Sequence, residues 1–122
     1  MADTARSFRR LVFSLLVSNY DDHPRNHGFL MMGSGRWALS PAYDINPVPE
    51  VDRGRMNKVP LAEDVFEPSI AGALQIADRF GLKLALAKAI LREVQGVVCT
   101  WRATARHLGI SPLAQAAYET AF

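Results

Sequence analysis

Residues 18–30 crowd together two carboxylates (Asp21, Asp22), two histidines (His23, His27), an arginine (Arg25) and two amides (Asn19, Asn26). Burying such a set is unfavourable unless each charge finds a partner, so the stretch belongs at the mouth of a cleft. A second, smaller signal follows at Ser40-Pro41-Ala42-Tyr43-Asp44-Ile45-Asn46-Pro47. Carboxylate and amide oxygens suit a hard cation such as Mg²⁺, and a carboxylate held off the metal can take a proton from a hydroxyl. Together the two stretches read as one metal–phosphate site.

The elements on either side must position these groups. Residues 4–18 have helical periodicity: Phe8, Leu11, Val12, Leu15 and Leu16 fall on one face, widened by Phe13 and Val17. Asp3 is the expected N-cap. The helix has to stop before Pro24, so the polar stretch is a loop leaving a buried helix. Residues 28–32 and 36–40 read as a hairpin around Gly33-Ser34-Gly35, with Trp37 and Leu39 on one face. Residues 41–60 hold four of the seven prolines and form a long irregular segment.

Helices follow. Ser69 is placed to cap one through Phe80, with Gly81 just past its end. A long helix is expected over 83–107, ended by Gly109, and Ser111-Pro112 starts the last. The order predicts an α+β, mostly α domain of one small β-hairpin and about four helices. At 122 residues the chain suffices for a single domain.

Composition narrows the partners. Net charge is +2, too small to argue for direct nucleic-acid binding. No run of apolar residues is long enough for a membrane span, and the N-terminus lacks a signal-peptide pattern. Cys99 is the single cysteine, so no intrachain disulfide forms. These features point to a cytoplasmic protein.

Spacing sharpens the chemistry. Asp21 and Asn26 are five residues apart, and Asp44 lies beyond the hairpin. Protein kinases place a base Asp, a metal-binding Asn five residues further along the loop, and a second metal-binding Asp in this order. An Asp–Asn pair alone is equally a pair of helix caps; the sequence loop, hairpin, second Asp favours the site. The residues Asn19-Tyr20-Asp21-Asp22-His23-Pro24-Arg25-Asn26-His27-Gly28-Phe29-Leu30, then Trp37-Ala38-Leu39-Ser40-Pro41-Ala42-Tyr43-Asp44-Ile45, resemble the HipA family, toxin kinases of bacterial type II toxin–antitoxin modules. That family's loop reads Asp-x-His-x-Lys/Arg-Asn and its metal motif Pro-x-Tyr-Asp. Ala77-Asp78-Arg79-Phe80-Gly81-Leu82 and Trp101-Arg102 resemble its C-terminal region.

The resemblance implies a protein-kinase-like C-lobe over residues 1–122 and a serine/threonine kinase using ATP and Mg²⁺. Asp21 would be the catalytic base, Asn26 and Asp44 the Mg²⁺ ligands on the nucleotide side, and His23 a contact to the transferring phosphoryl group. Arg25 stands where the family more often has Lys, keeping the charge but not the geometry. Asp22 is one residue too close to Asn26 and supports rather than acts. Implied partners are a protein substrate and a HipB-like DNA-binding antitoxin. A Gly-rich phosphate loop and an N-lobe lysine have no counterpart here, so the chain is expected to be the C-terminal lobe without its N-terminal lobe, with little kinase activity alone.

Two other functions compete. One is a non-catalytic module that only binds an antitoxin. The other is a metal-dependent phosphohydrolase using Asp21, Asp22 and His23, a trio that adjacent positions on an extended chain would point apart. Elsewhere the plainer reading holds. His27 is a hydrogen-bonded loop histidine, and His107 partners a helix C-terminus. Cys99 is expected as a buried small hydrophobe, Trp37 and Trp101 as core, and Met31-Met32 as packing. Arg53, Arg55 and Lys58 read as a solvated loop.

Overall fold

The computed structural model describes residues 2–20, 27–54, 59–65 and 67–122. Among these the chain is mostly helical, with one two-stranded antiparallel hairpin. The helices are α1 (Ala2–Leu16), α2 (Glu50–Arg53), α3 (Ile70–Gln75), α4 (Leu84–Val98), α5 (Trp101–His107) and α6 (Pro112–Tyr118). Two 3₁₀ turns, Ala77–Phe80 and Glu119–Ala121, complete them.

The apolar face of α1 makes the core. Phe8, Val12 and Leu15 are buried against Ala73 and Ala77 of α3 and the turn after it, and against Ala87, Ile90 and Val94 of α4. Phe8 meets Phe80 edge-on, with ring centroids 5.4 Å apart. On α4, Ala87, Ile90 and Val94 are buried, whereas Leu84 is exposed.

Several boundaries follow from local chemistry. Ser69 Oγ accepts from Gly72 N at 3.0 Å, capping α3 as its position predicts. Ser111 does the same for α6, accepting from Ala114 N at 3.2 Å with Pro112 at the first helical position. Gly81 and Gly109 take left-handed conformations (φ 69° and 76°) that end the segments before them.

Three expectations are corrected here. Asp3 is not an N-cap, because α1 already begins at Ala2; its carboxylate instead accepts from Leu39 N (3.0 Å) and Arg6 Nη1 (3.3 Å), tying the hairpin to the helix. The helix expected over 83–107 is two helices. Thr100 interrupts it: its hydroxyl and its amide both donate to the Val97 carbonyl (2.7 and 3.1 Å), closing a turn in which the ladder stops. Cys99, in that turn, is exposed rather than buried.

The hairpin is short. β1 (Phe29–Met31) pairs with β2 (Trp37–Leu39) in the register Phe29–Leu39, Leu30–Ala38, Met31–Trp37. Gly33, Ser34 and Gly35 all have positive φ (102°, 43°, 76°), and the turn closes through Met32 N to Arg36 O at 2.7 Å. Leu39 is buried beneath the hairpin. Trp37 shares its face but is 59% exposed, and Met31 and Met32 are likewise open, so the expectation that these three pack in the core is corrected. The sheet has no layer above it among the described residues, which leaves the outer end of the hairpin uncovered.

Candidate active site

Helix α1 ends at the site through an unusual residue. Val17 N, Ser18 N and Asn19 N donate back to the Phe13, Leu15 and Ser14 carbonyls at 3.1, 3.2 and 2.8 Å. Ser18 adopts φ 61°, a left-handed conformation uncommon for a residue with a Cβ. That turn redirects the chain out of the core and into the polar loop. Asp21, Asp22, His23, Pro24, Arg25 and Asn26 themselves lie outside the described residues, as do Arg55 and Lys58.

The two flanks of the loop are well defined. On the entry side, Val17 O accepts from Val48 N and Tyr20 O accepts from Val59 N, both at 3.0 Å. On the exit side, Gly28 O accepts from Ser40 N at 2.7 Å. A Cβ on Gly28 would stand 3.3 Å from Ser40 Oγ and 3.7 Å from the Tyr43 hydroxyl, so the exit strand approaches its neighbour more closely than most side chains permit. Arg10, reaching from α1, donates through Nη2 to the Ser40 carbonyl. The segment that follows β2 is therefore fixed from both ends of the loop.

Asp44 sits in that segment with φ 57°. An Asp tolerates this region better than most residues, and backbone strain of this kind concentrates at functional positions. The turn leaves its side chain at the exposed surface. Asn46 Nδ2 donates to Asp44 Oδ1 at 3.2 Å, orienting the carboxylate. Asn19 Nδ2 reaches the Asp44 carbonyl at 3.5 Å, a weak bond that nonetheless spans from the loop's entry to the segment after the hairpin. An exposed, amide-oriented carboxylate fits Mg²⁺, which takes one or two carboxylates and keeps water and phosphate for its remaining positions. Among the described residues no group of three His, Cys, Asp or Glu side chains gathers into a metal cage.

A cavity of about 480 Å³ opens beside the loop flanks, lined in part by Asn19, Tyr20, His27, Phe29 and Val59. His27 is half-buried at its edge and is engaged by its surroundings, as its reading as a bonded loop histidine requires. The exposed apolar residues Phe29, Leu30, Met31, Met32 and Trp37 continue from this cavity over the hairpin.

Several residues of the two stretches were given no role from the sequence. Ser18, Asn19 and Ser40 are buried polar residues (7%, 8% and 7% exposed) that hold the two motifs in place. The available signal was position: a serine and an amide directly after an apolar helix, and a serine directly before Pro41. Arg53, read as part of a solvated loop, instead donates to the Val48 and Thr120 carbonyls.

Comparison with known families matches the chain to the HipA-like C-terminal domain family over residues 1–101. Neither the comparison with curated proteins nor that with solved structures gives a match. No helix among the described residues is long and apolar enough to cross a membrane.

Proposed function

Because this chain belongs to the HipA-like C-terminal domain family, a family of toxin kinases, we propose that it is the catalytic lobe of a HipA-like serine/threonine protein kinase. The reaction is phosphoryl transfer from Mg·ATP to a protein hydroxyl. The observation that carries the reading is Asp44: an exposed residue in a left-handed backbone conformation, its carboxylate oriented by Asn46 and its backbone carbonyl weakly bonded by Asn19 at the entry of the loop that contains Asp21 and Asn26.

In this reading Asp21 accepts the proton of the attacking hydroxyl. Asn26 and Asp44 hold Mg²⁺, which neutralises charge on the phosphates. His23 and Arg25 steady the transferred group with positive or hydrogen-bonding contacts. Asp22 and His27 shape the loop. The exposed apolar hairpin, Phe29–Met32 with Trp37, offers a surface on the adenine side of the cleft. The protein partners are a substrate carrying the hydroxyl and a HipB-like antitoxin, and the setting is cytoplasmic.

The test is a Mg²⁺ titration of the full chain with and without ATP, followed residue by residue by NMR. Shifts centred on Asp44 and residues 21–26 that need both Mg²⁺ and ATP are expected, and Asp44→Asn should remove them, weakening Mg·ATP binding at least about tenfold because a metal-bound carboxylate is lost. A folded chain with no shift at these residues would overturn the reading. Shifts with metal alone that vanish in His23→Ala would replace it with a phosphohydrolase.

A further inference from the structure

Residues 102–122 lie beyond the stretch matched by the family, yet the last of them grip both motif-bearing segments. The Ser18 hydroxyl, buried three positions before Asp21, donates to the Ala121 carbonyl at 2.9 Å. Glu50 N, six positions after Asp44, donates to Thr120 Oγ1 at 2.7 Å. Arg53 bridges the Thr120 carbonyl and the Val48 carbonyl, while Val48 N in turn bonds Val17 O. The 3₁₀ turn Glu119–Ala121 thus closes a ring of bonds: end of α1, residue 48, α2, residues 120–121, and back to Ser18.

The turn is held down at its outer edge as well. Phe122 stacks on Trp101 with centroids 4.4 Å apart and planes 9° apart. Arg102 lies over the Trp101 ring at 4.8 Å and pairs with Glu119. Ala121 is the one residue of the turn that is fully buried. Little apolar area is hidden by one alanine, so directional bonds and the ring stack do most of the fastening.

We propose that Glu119–Phe122 is a latch that sets the spacing between the polar loop and the metal motif, with Thr120 and Ser18 as positioning residues. Ser18 is the telling group. Its left-handed backbone aims the chain into the loop, and its hydroxyl has the latch carbonyl as its partner. Thr120 serves the other motif, satisfying the first turn of α2 where a helix N-terminus otherwise leaves its amides open. With both in place, residues 17–20 and 48–53 cannot slide past one another. With the latch released, each hangs from its own element.

The catalytic consequence rests on the kinase reading, whereas the latch itself does not, and the experiment separates them. Amide hydrogen exchange is measured on the full chain without metal or nucleotide for wild type, Thr120→Val and Thr120→Ser. Thr120→Val should speed exchange at Glu50 about fivefold and perturb Asn19 and Val48, leaving Ile90 and Val94 of the core unchanged. Thr120→Ser, which keeps the hydroxyl, should restore wild-type protection. Loss of protection spread evenly over the core, or identical behaviour of the Val and Ser variants, would overturn the latch. Phe122→Ala provides a second readout: Trp101 emission should change and Phe122→Tyr should preserve it, and an unchanged spectrum in Phe122→Ala would count against docking of the turn. Mg·ATP titration of Thr120→Val then tests the coupling. An apparent affinity about fivefold weaker, with Asp44 still responding, is expected. An unchanged affinity despite a loosened latch would remove the positioning role, and no response even in wild type would fault the kinase reading and leave the exchange result standing.

Discussion

The helical core and the site face of this domain are held by different physics. The core joins α1, α3 and α4 through Phe8, Val12, Ala73, Ala87 and Ile90, all nearly or fully removed from solvent. Its contacts are non-directional, and each side chain touches several others. The site face ties residues 17–20, 39–48 and 119–121 to one another and to the start of α1 through hydrogen bonds across large gaps in sequence, from the Leu39–Asp3 pair to the Ser18–Ala121 pair. A core of the first kind absorbs many substitutions by repacking. In a face of the second kind the fastenings are few and directional, so losing one loosens the segments it ties. Stability is therefore concentrated in one region and geometry in the other.

The sharpest way to break this contrast is at Phe8. It is 0% exposed and sits edge-on to Phe80 at the centre of the cluster. Phe8→Ala removes a large buried ring and leaves a cavity that helices on three sides cannot fill. A loss of about 3–5 kcal/mol is expected. Against a typical total of about 5–15 kcal/mol, that would bring the whole domain close to unfolding, site included. Urea denaturation read by far-UV circular dichroism measures it. A loss under about 1 kcal/mol would mean that the core does not carry the fold.

Arg10→Met should have a smaller and more local effect. The methionine keeps the apolar stem against α1's neighbours but removes the donor to the Ser40 carbonyl. A bond from a charged group to a partly buried carbonyl is worth about 1.5–3 kcal/mol. Here about 1–2 kcal/mol is expected, because water can reach part of the site. NMR should show shifts concentrated in Leu39, Ser40 and Gly28, with Ile90 and Val94 quiet. Shifts spread equally through α4 would show that the face and the core are one cooperative unit.

The same contrast explains what could be read from the sequence. Apolar periodicity located α1, and cap residues Ser69 and Ser111 located the starts of α3 and α6, because both signals are local. The hairpin was legible from Gly33-Ser34-Gly35 for the same reason. For the site the sequence offers a motif order, Asp21 to Asn26 to Asp44, and a family resemblance; the match over residues 1–101 bears out the resemblance. What could not be read is long-range and polar. Nothing local marks Thr120 as a partner of Glu50, or Asp3 as an acceptor for Leu39 rather than a cap. The break at Thr100 was missed because threonine is tolerated in helices and only its choice of the Val97 carbonyl ends this one. Trp37 and Met31 were assigned inward on hydrophobicity alone, which cannot distinguish a core from an exposed apolar face.

The smallest effect is expected where neither region has a stake. Asp64 pairs with Arg79 at 2.7 Å, joining the 61–65 turn to the 3₁₀ turn that follows α3. The hydrogen bond from Arg79 holds its carboxyl below the ordinary value of 3.8, with its own backbone amide assisting. A carboxyl lowered on folding favours the folded state above its unfolded value, and that contribution is lost as pH falls through the lowered one. Both side chains are about half exposed or more, so solvent screens the pair and little stability rests on it. Asp64→Asn should lower Tm by no more than about one degree at neutral pH, and the two melting curves should converge as pH drops below 3.8. A neutral-pH difference that persisted unchanged below that range would assign the effect to packing of the 61–65 turn rather than to charge. A difference of many degrees would place the turn among the fastenings of the core, and the line between the two regions would have to be redrawn around Arg79.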